Sequence, residues 1–202
     1  MQKQIIVEQK KYPSYRLTPW EEDQVVEYAK ESRPQFAWQK DERTAQTKLL
    51  NARLGRGGEI AFTSMFPPEK QAMIIDNPYE RKEYSSPYDF KIKGGDKTYT
   101  VDVKTTIKSE KVPTPEKCNF VWSLKRKFIK EKSNIDLCDI YVQMFYDPDE
   151  FIYYFTGAIS LDKINSIHGG VHIPGKSYSL IRQGEMDYTD LFKGYMAPIV
   201  KI

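Results

Sequence analysis

The sequence predicts an α/β fold in which a central mixed β-sheet is flanked by α-helices. Three observations carry this expectation. Apolar residues recur at helical spacing early in the chain, β-branched and aromatic runs follow further on, and proline and glycine turn signals separate them. At 202 residues, with 40% hydrophobic and 13% aromatic content, the composition is that of a globular chain. One domain spanning 1–202 is expected.

The elements follow in order. Thr18-Pro19-Trp20-Glu21 has a Thr N-cap, proline at the first helical position and glutamate at the third, so a helix should run to about Glu31, before Pro34. A second helical stretch, 41–65, carries Leu50, Leu54, Ala61 and Met65 and stops at Pro67-Pro68. Gly55, Gly57 and Gly58 interrupt it, each costing about 1 kcal/mol relative to alanine. Either they permit close packing against a strand or a substrate backbone, or they break the stretch into two shorter helices. Ala72-Met73-Ile74-Ile75 reads as a short strand. Gly95-Asp96 then suits a two-residue hairpin turn, because glycine supplies the positive φ of the primed turns.

Residues 108–117 read as a loop, Phe120-Val121-Trp122 as a brief strand and 124–132 as a basic helix. Asp139 to Tyr146 is a strong buried strand, Asp147-Pro148-Asp149 a turn, and Phe151 to Ala158 a second strand.

The hairpin carries the chemistry. Counting back from the turn, Gly94 faces Lys97, Lys93 faces Thr98, and Asp89 faces Asp102. Asp102 and Lys104 leave the strand on one face while Val103 points to the other. Like charges directly opposed on a sheet repel. A divalent cation offsets that repulsion, since Mg²⁺ and Mn²⁺ take hard oxygen ligands. Lys104 beside it would tune a proton or orient water. An Asp-x-Lys triplet alone is also an ordinary exposed-strand pattern, so the register and the neighbouring elements carry the weight.

Other signals narrow the function classes. A formal net charge of +3 tolerates a polyanionic partner without demonstrating one. Arg53, Arg56 and the basic residues Lys125, Arg126, Lys127 and Lys130 are candidates for nucleic-acid backbone contacts, the alternative for the basic helix being a solvated outer face. Cys118 and Cys138 are too few for a disulfide framework and lack metal-ligand spacing, so no zinc or iron–sulfur site is expected. No run of about 18 apolar residues occurs and the N-terminus lacks a signal-peptide core, so a soluble, cytoplasmic protein with no membrane partner is expected. Gly170 to Ser177 matches the phosphate-loop pattern G-x-x-x-x-G-K-S but has helical residues before it and an extended segment after it, the reverse of what such a loop needs. His168 and His172 bracket Gly169-Gly170 and read as a turn rather than a zinc pair. The tyrosines from Tyr141 onward include base-stacking candidates, with alternate ones in the core.

The order of these parts resembles the PD-(D/E)XK nuclease superfamily, the restriction-endonuclease-like fold. The matching residues are Glu59 in Gly58-Glu59-Ile60-Ala61-Phe62, Asp89 in Pro87-Tyr88-Asp89, and Asp102-Val103-Lys104, followed by a helix and a strand. The likeness covers about 45–160, with extensions of about 1–40 and 160–202 on either side. It implies that Asp89, Asp102 and the Val103 main-chain carbonyl ligate Mg²⁺, Mn²⁺ being possible. Glu59 completes the site directly or through water, and Lys104 acts on the attacking water. The implied activity is that of a metal-dependent DNA endonuclease. A non-catalytic nucleic-acid-binding module, an exonuclease and an RNA-directed nuclease are the alternatives, and cutting of both strands would suggest a homodimer. The proline stands one residue farther from Asp89 than in the name-giving pair. No histidine precedes the motif and four cysteines are lacking, which sets aside the cap-snatching and iron–sulfur branches.

Overall fold

The computed structural model describes residues 12–31, 43–76, 88–118, 120–122, 138–163 and 179–181. The first helix, α1 (Pro19–Glu31), begins where the sequence predicts. The Glu21 amide donates to Thr18 Oγ1 at 3.3 Å and Glu21 Oε2 accepts from the Thr18 amide at 2.7 Å, the reciprocal bonds of a capping box. The Glu21 carboxylate also accepts from Tyr15 Oη at 3.0 Å and from Ser64 Oγ at 2.9 Å. One side chain therefore ties α1 to the short strand β1 (Ser14–Tyr15) and to the end of the second helical run.

That run is continuous: α2 (Ala45–Ala52), a π-helical turn (Arg53–Gly57) and α3 (Gly58–Ser64). Thr44 caps it, its hydroxyl accepting from the Thr47 amide at 3.2 Å. Of the two readings of its glycines, close packing holds for Gly57 and Gly58, whereas Gly55 faces open space. A Cβ on Gly57 would lie 2.2 Å from Tyr153 Oη, and one on Gly58 would lie 2.0 Å from Thr105 Oγ1. The π turn, a common device at functional sites, coincides with this closest approach. A short helix α4 (Pro68–Gln71) follows Pro67.

The remaining elements are β2 (Ile74–Asp76), β3 (Phe90–Gly94), β4 (Lys97–Ile107), β5 (Phe120–Trp122), β6 (Ile140–Asp147), β7 (Ile152–Ser160) and β8 (Ser179–Ile181). Among the described residues six strands form one mixed sheet in the order β1-β7-β6-β4-β3-β2, and β5 pairs with β8 separately. In the larger sheet β4 and β6 are parallel, from Val101↔Ile140 to Ile107↔Tyr146, and the other neighbours are antiparallel. Asp139 anchors the parallel pair. Its carboxylate accepts from the Thr100 amide at 2.8 Å and hydroxyl at 2.7 Å, and its amide donates to Thr100 Oγ1 at 3.0 Å.

The helical run lies on one face of the sheet. Ala52, Ile60, Ala61, Phe62, Met65 and Phe66 pack against Phe90, Ile92, Val101, Val103, Val142, Met144, Tyr146, Tyr153 and Phe155. Phe62 is its centre, with ring centroids 5.2 Å from Phe66, 6.0 Å from Phe90 and 6.3 Å from Phe155. Burying a phenylalanine fully contributes about 1.5–3 kcal/mol.

The α/β architecture with a mixed sheet and helices is as the sequence predicts. The expected basic helix 124–132, the 170–177 loop and both histidines lie outside the described residues. The extended segment expected after that loop is present as β8. Among the described residues no helix is long and apolar enough to cross a membrane.

Gly58→Ala should destabilise the protein. Alanine gains about 1 kcal/mol in helix propensity, but overpacking of this severity costs about 1–3 kcal/mol. A lowered melting temperature, partly restored by adding Thr105→Ala, is the expected result. A variant at least as stable as the parent would contradict the packing account.

Candidate active site

The β3–β4 hairpin turns as predicted. Gly95 has φ +62°, and the register runs Gly94↔Lys97, Lys93↔Thr98, Ile92↔Tyr99, Lys91↔Thr100 and Phe90↔Val101. It stops there, one pair short of the direct Asp89–Asp102 opposition expected from counting. The Asp89 amide donates instead to the Val101 carbonyl at 2.9 Å, the residue already paired with Phe90. Its carboxylate then reaches along β4 and accepts from the Val103 amide at 2.7 Å. A side chain thus satisfies a strand amide where β3 has ended and β4 continues. N–H and C=O of one strand residue point to the same side, so the Val103 carbonyl faces that side as well.

Asp102 and Lys104 alternate with buried Val101 and Val103, as the strand period requires. Lys104 Nζ donates to Asp102 Oδ1 at 2.6 Å; the lysine side chain is 51% exposed and the aspartate only 13%. Burial of the ammonium works to lower its pKa, but the Asp102 charge and hydrogen bond, with Asp89 beyond, outweigh it and leave Lys104 above its ordinary value. It is therefore a cation at neutral pH.

Glu59 sits one residue beyond Gly58, so the close approach of helix to sheet delivers it to this cluster. Its Oε2 is 3.4 Å from Arg56 Nη1, and both side chains are largely buried. Desolvation raises the Glu59 pKa, opposed by Arg56; Asp102 raises it further and Lys104 lowers it. Asp89 is raised well above the usual carboxylate range, first by burial and then by the charges of Glu59 and Asp102, against the Val103 amide and Lys104. The four residues assigned from sequence, Glu59, Asp89, Asp102 and Lys104, thus feel one another's charge.

Among the described residues no three His, Cys, Asp or Glu side chains are gathered as a metal-ligand set. Each carboxylate instead has a protein partner: Arg56, the Val103 amide or Lys104. Magnesium commonly uses only one or two carboxylates, with waters and substrate phosphates. Asp89, Asp102 and the Val103 carbonyl are a donor set of that kind.

Arg53 is placed elsewhere. Its Nη2 is 3.3 Å from Glu22 Oε2, its guanidinium lies 5.6 Å from the centroid of Phe151, and its carbonyl accepts from Tyr153 Oη at 3.0 Å. Arg56 lies beside Glu59 and 5.8 Å from the Tyr28 ring centroid. Lys125, Arg126, Lys127 and Lys130 lie outside the described residues.

Three neighbours escaped the sequence reading. Asp139 anchors Thr100, two residues before Asp102. Gln143, 1% exposed, sends Nε2 to the Lys104 carbonyl and Thr106 Oγ1, both at 3.1 Å, and to the Met144 carbonyl at 2.7 Å. A bulge stands opposite: Gln143 pairs with Gly157 and Met144 with Phe155, leaving Thr156 to donate from Oγ1 to the Gln143 carbonyl at 3.0 Å. A glutamine within the apolar run of β6 was the available signal. Cys138 is buried close to the cluster, where burial, Asp102 and Asp89 push its thiol up and away from nucleophilic use.

Comparison of the chain with protein-family models, with curated proteins and with solved structures gives no match.

Asp89 holds its proton more tightly folded than unfolded. That contribution to stability is fully present below the ordinary aspartate range and is lost as pH rises through the raised folded-state value. Asp89→Asn can still accept from the Val103 amide while carrying no charge. At about pH 8 without metal it should melt roughly 2–4 °C above wild type, as about 1 kcal/mol produces in a chain of this size. The gap should close in acid; a variant less stable than wild type at the higher pH would refute the charge account.

Proposed function

We propose that this chain is a metal-dependent nuclease of the PD-(D/E)XK type that hydrolyses phosphodiester bonds, with DNA as substrate. The observation that carries the reading is the placement of Asp89 where β3 stops. Its half-buried carboxylate is repelled by Glu59 and Asp102 and stands beside the backbone of Val103. Clustering of this kind has a cost in the metal-free protein and is common at functional sites.

Asp89, Asp102 and the Val103 carbonyl would hold Mg²⁺ or Mn²⁺, with Glu59 acting through a bound water. The ion would lower the pKa of water and neutralise charge on the scissile phosphate. In that arrangement Asp102 would be shared between the ion and Lys104, whose ammonium bonds it here. Lys104, cationic at neutral pH, then orients the attacking water and offsets negative charge developing on phosphate oxygens. Water oxygen would bond to phosphorus as its proton passes to solvent, the P–O bond in line with it would break, and the departing alkoxide would take a proton from solvent. The hairpin is what supports phosphodiester cleavage; the choice of DNA rests on the family resemblance.

A second reading has its own support. Because Glu59, Asp89 and Asp102 all have protein partners, the same arrangement suits a nucleic-acid-binding module without catalysis. Incubation with supercoiled plasmid separates the two. Nicking should require Mg²⁺ or Mn²⁺, cease with chelator, and fall about 10²–10³-fold in Lys104→Ala, the range for loss of a group that stabilises developing charge. Asp102→Ala should be at least as impaired. Activity that survives both substitutions rejects the assignment, and binding without cleavage in either metal selects the module.

A further inference from the structure

The face of the sheet that bears Asp102 and Lys104 continues away from them to two lysines of β3, Lys91 and Lys93. Directly opposed residues of an antiparallel pair share a face. The register Lys91↔Thr100 and Lys93↔Thr98 therefore sets Lys91 and Lys93 on the face of Thr100, Asp102 and Lys104. Phe90 and Ile92 take the other face, where both are buried in the core. Along this edge of the site the order is Asp89, Lys91, Lys93.

The spacing is specific. Two residues of a strand advance about 6.8 Å, close to the separation of successive phosphates along an extended nucleic-acid strand. The Lys91 ammonium lies over the ring of Tyr88, 5.0 Å from its centroid, which keeps it next to Asp89. Lys93 is exposed. The Asp139 carboxylate on the neighbouring strand is engaged by the Thr100 amide and hydroxyl, toward β6 rather than β3. Asp96 stands at the turn, at the far end of the row, and Asp76 of β2 holds the register position opposite Lys91, so Lys93 is the lysine of the pair with no acid opposite it in the register.

We propose that β3 is the track for the backbone of the cleaved strand, with Lys91 and Lys93 meeting the first and second phosphates on one side of the phosphate at Asp89 and Asp102. The proposal rests on the phosphodiester reading above and extends it with two residues and a direction. Contacts of this kind are sequence-independent, and each released counterion appears in the salt dependence of binding. An aromatic ring beneath the first lysine also suits a strand with unstacked bases.

The test is fluorescence anisotropy of labelled single-stranded and duplex oligonucleotides over a salt series, in an Asp102→Asn background that prevents cleavage. Lys91→Gln and Lys93→Gln should each weaken binding several-fold and flatten the slope of log K against log salt by about 0.7–0.9. Lys91→Arg should retain the slope, and Lys30→Gln on α1 should not alter it. Oligonucleotides truncated on the β3 side of the cut should lose the difference between Lys93→Gln and its parent. A double Lys91→Gln, Lys93→Gln protein that binds with the parental slope overturns the track and leaves the nuclease reading standing. Wild-type protein that binds with lysine-dependent slope but never cuts supports the track and removes the nuclease reading. Absence of binding by the parent overturns both.

Discussion

The candidate site depends on a mismatch in length between two strands. β4 runs on for six residues after β3 has ended, and a strand edge with an unmet amide is costly when covered. The Asp89 carboxylate meets the Val103 amide at that point. A backbone requirement thereby draws a carboxylate to the place where β4 turns from one neighbour to the other, with Asp102 and Lys104 flanking it. Had β3 been longer, an ordinary ladder bond would occupy the same amide and Asp89 would be displaced from the cluster.

The helix supplies the other half. Three carboxylates do not approach one another spontaneously, and desolvation adds to their repulsion at Glu59 and Asp89. Arg56 and Lys104 offset part of it. Apolar packing does the rest: Phe62, Ile60 and Ala61 leave the same helical turns as Glu59 and are buried against the sheet. Gly57 and Gly58 let that packing occur at short range. The polar cluster is held by a core a few ångströms away, an arrangement in which stability and charge crowding are set by different residues of one helix.

Much of this was legible in the sequence, for local reasons. The Thr18–Glu21 capping box, the Gly95-Asp96 turn and the buried run of β6 are encoded within a few residues of where they act. The site was legible where it followed strand alternation, as in Asp102, Val103 and Lys104. Its remaining member, Glu59, came from family resemblance, because nothing near Gly58 states what lies across from it. The departure of Asp89 from the ladder was invisible for a related reason: strand endings depend on neighbouring elements, and counting register assumes a ladder that continues. The glycines were ambiguous until Tyr153 and Thr105, about a hundred and about fifty residues away in sequence, supplied their partners. Gln143 and Asp139 act across β4 and β6, a parallel pairing that no short-range pattern announces.

The glycine contacts also make the helix an indexed part. Its seat on the sheet admits hydrogen at two consecutive positions and a side chain at neither, so the helix cannot slide gradually along its axis. In this setting Gly57 lies against Tyr153 and Gly58 against Thr105, and Glu59 inherits its location from it. The consequence is an asymmetry in tolerance to changes of length. Residues gained or lost before Thr44 leave the index untouched, whereas one inserted between Gly58 and Glu59 would rotate the carboxylate by about 100° around the helix axis, out of reach of Asp102. The placement of Glu59 would then be set not by the charged groups around it but by the two positions that have no side chain.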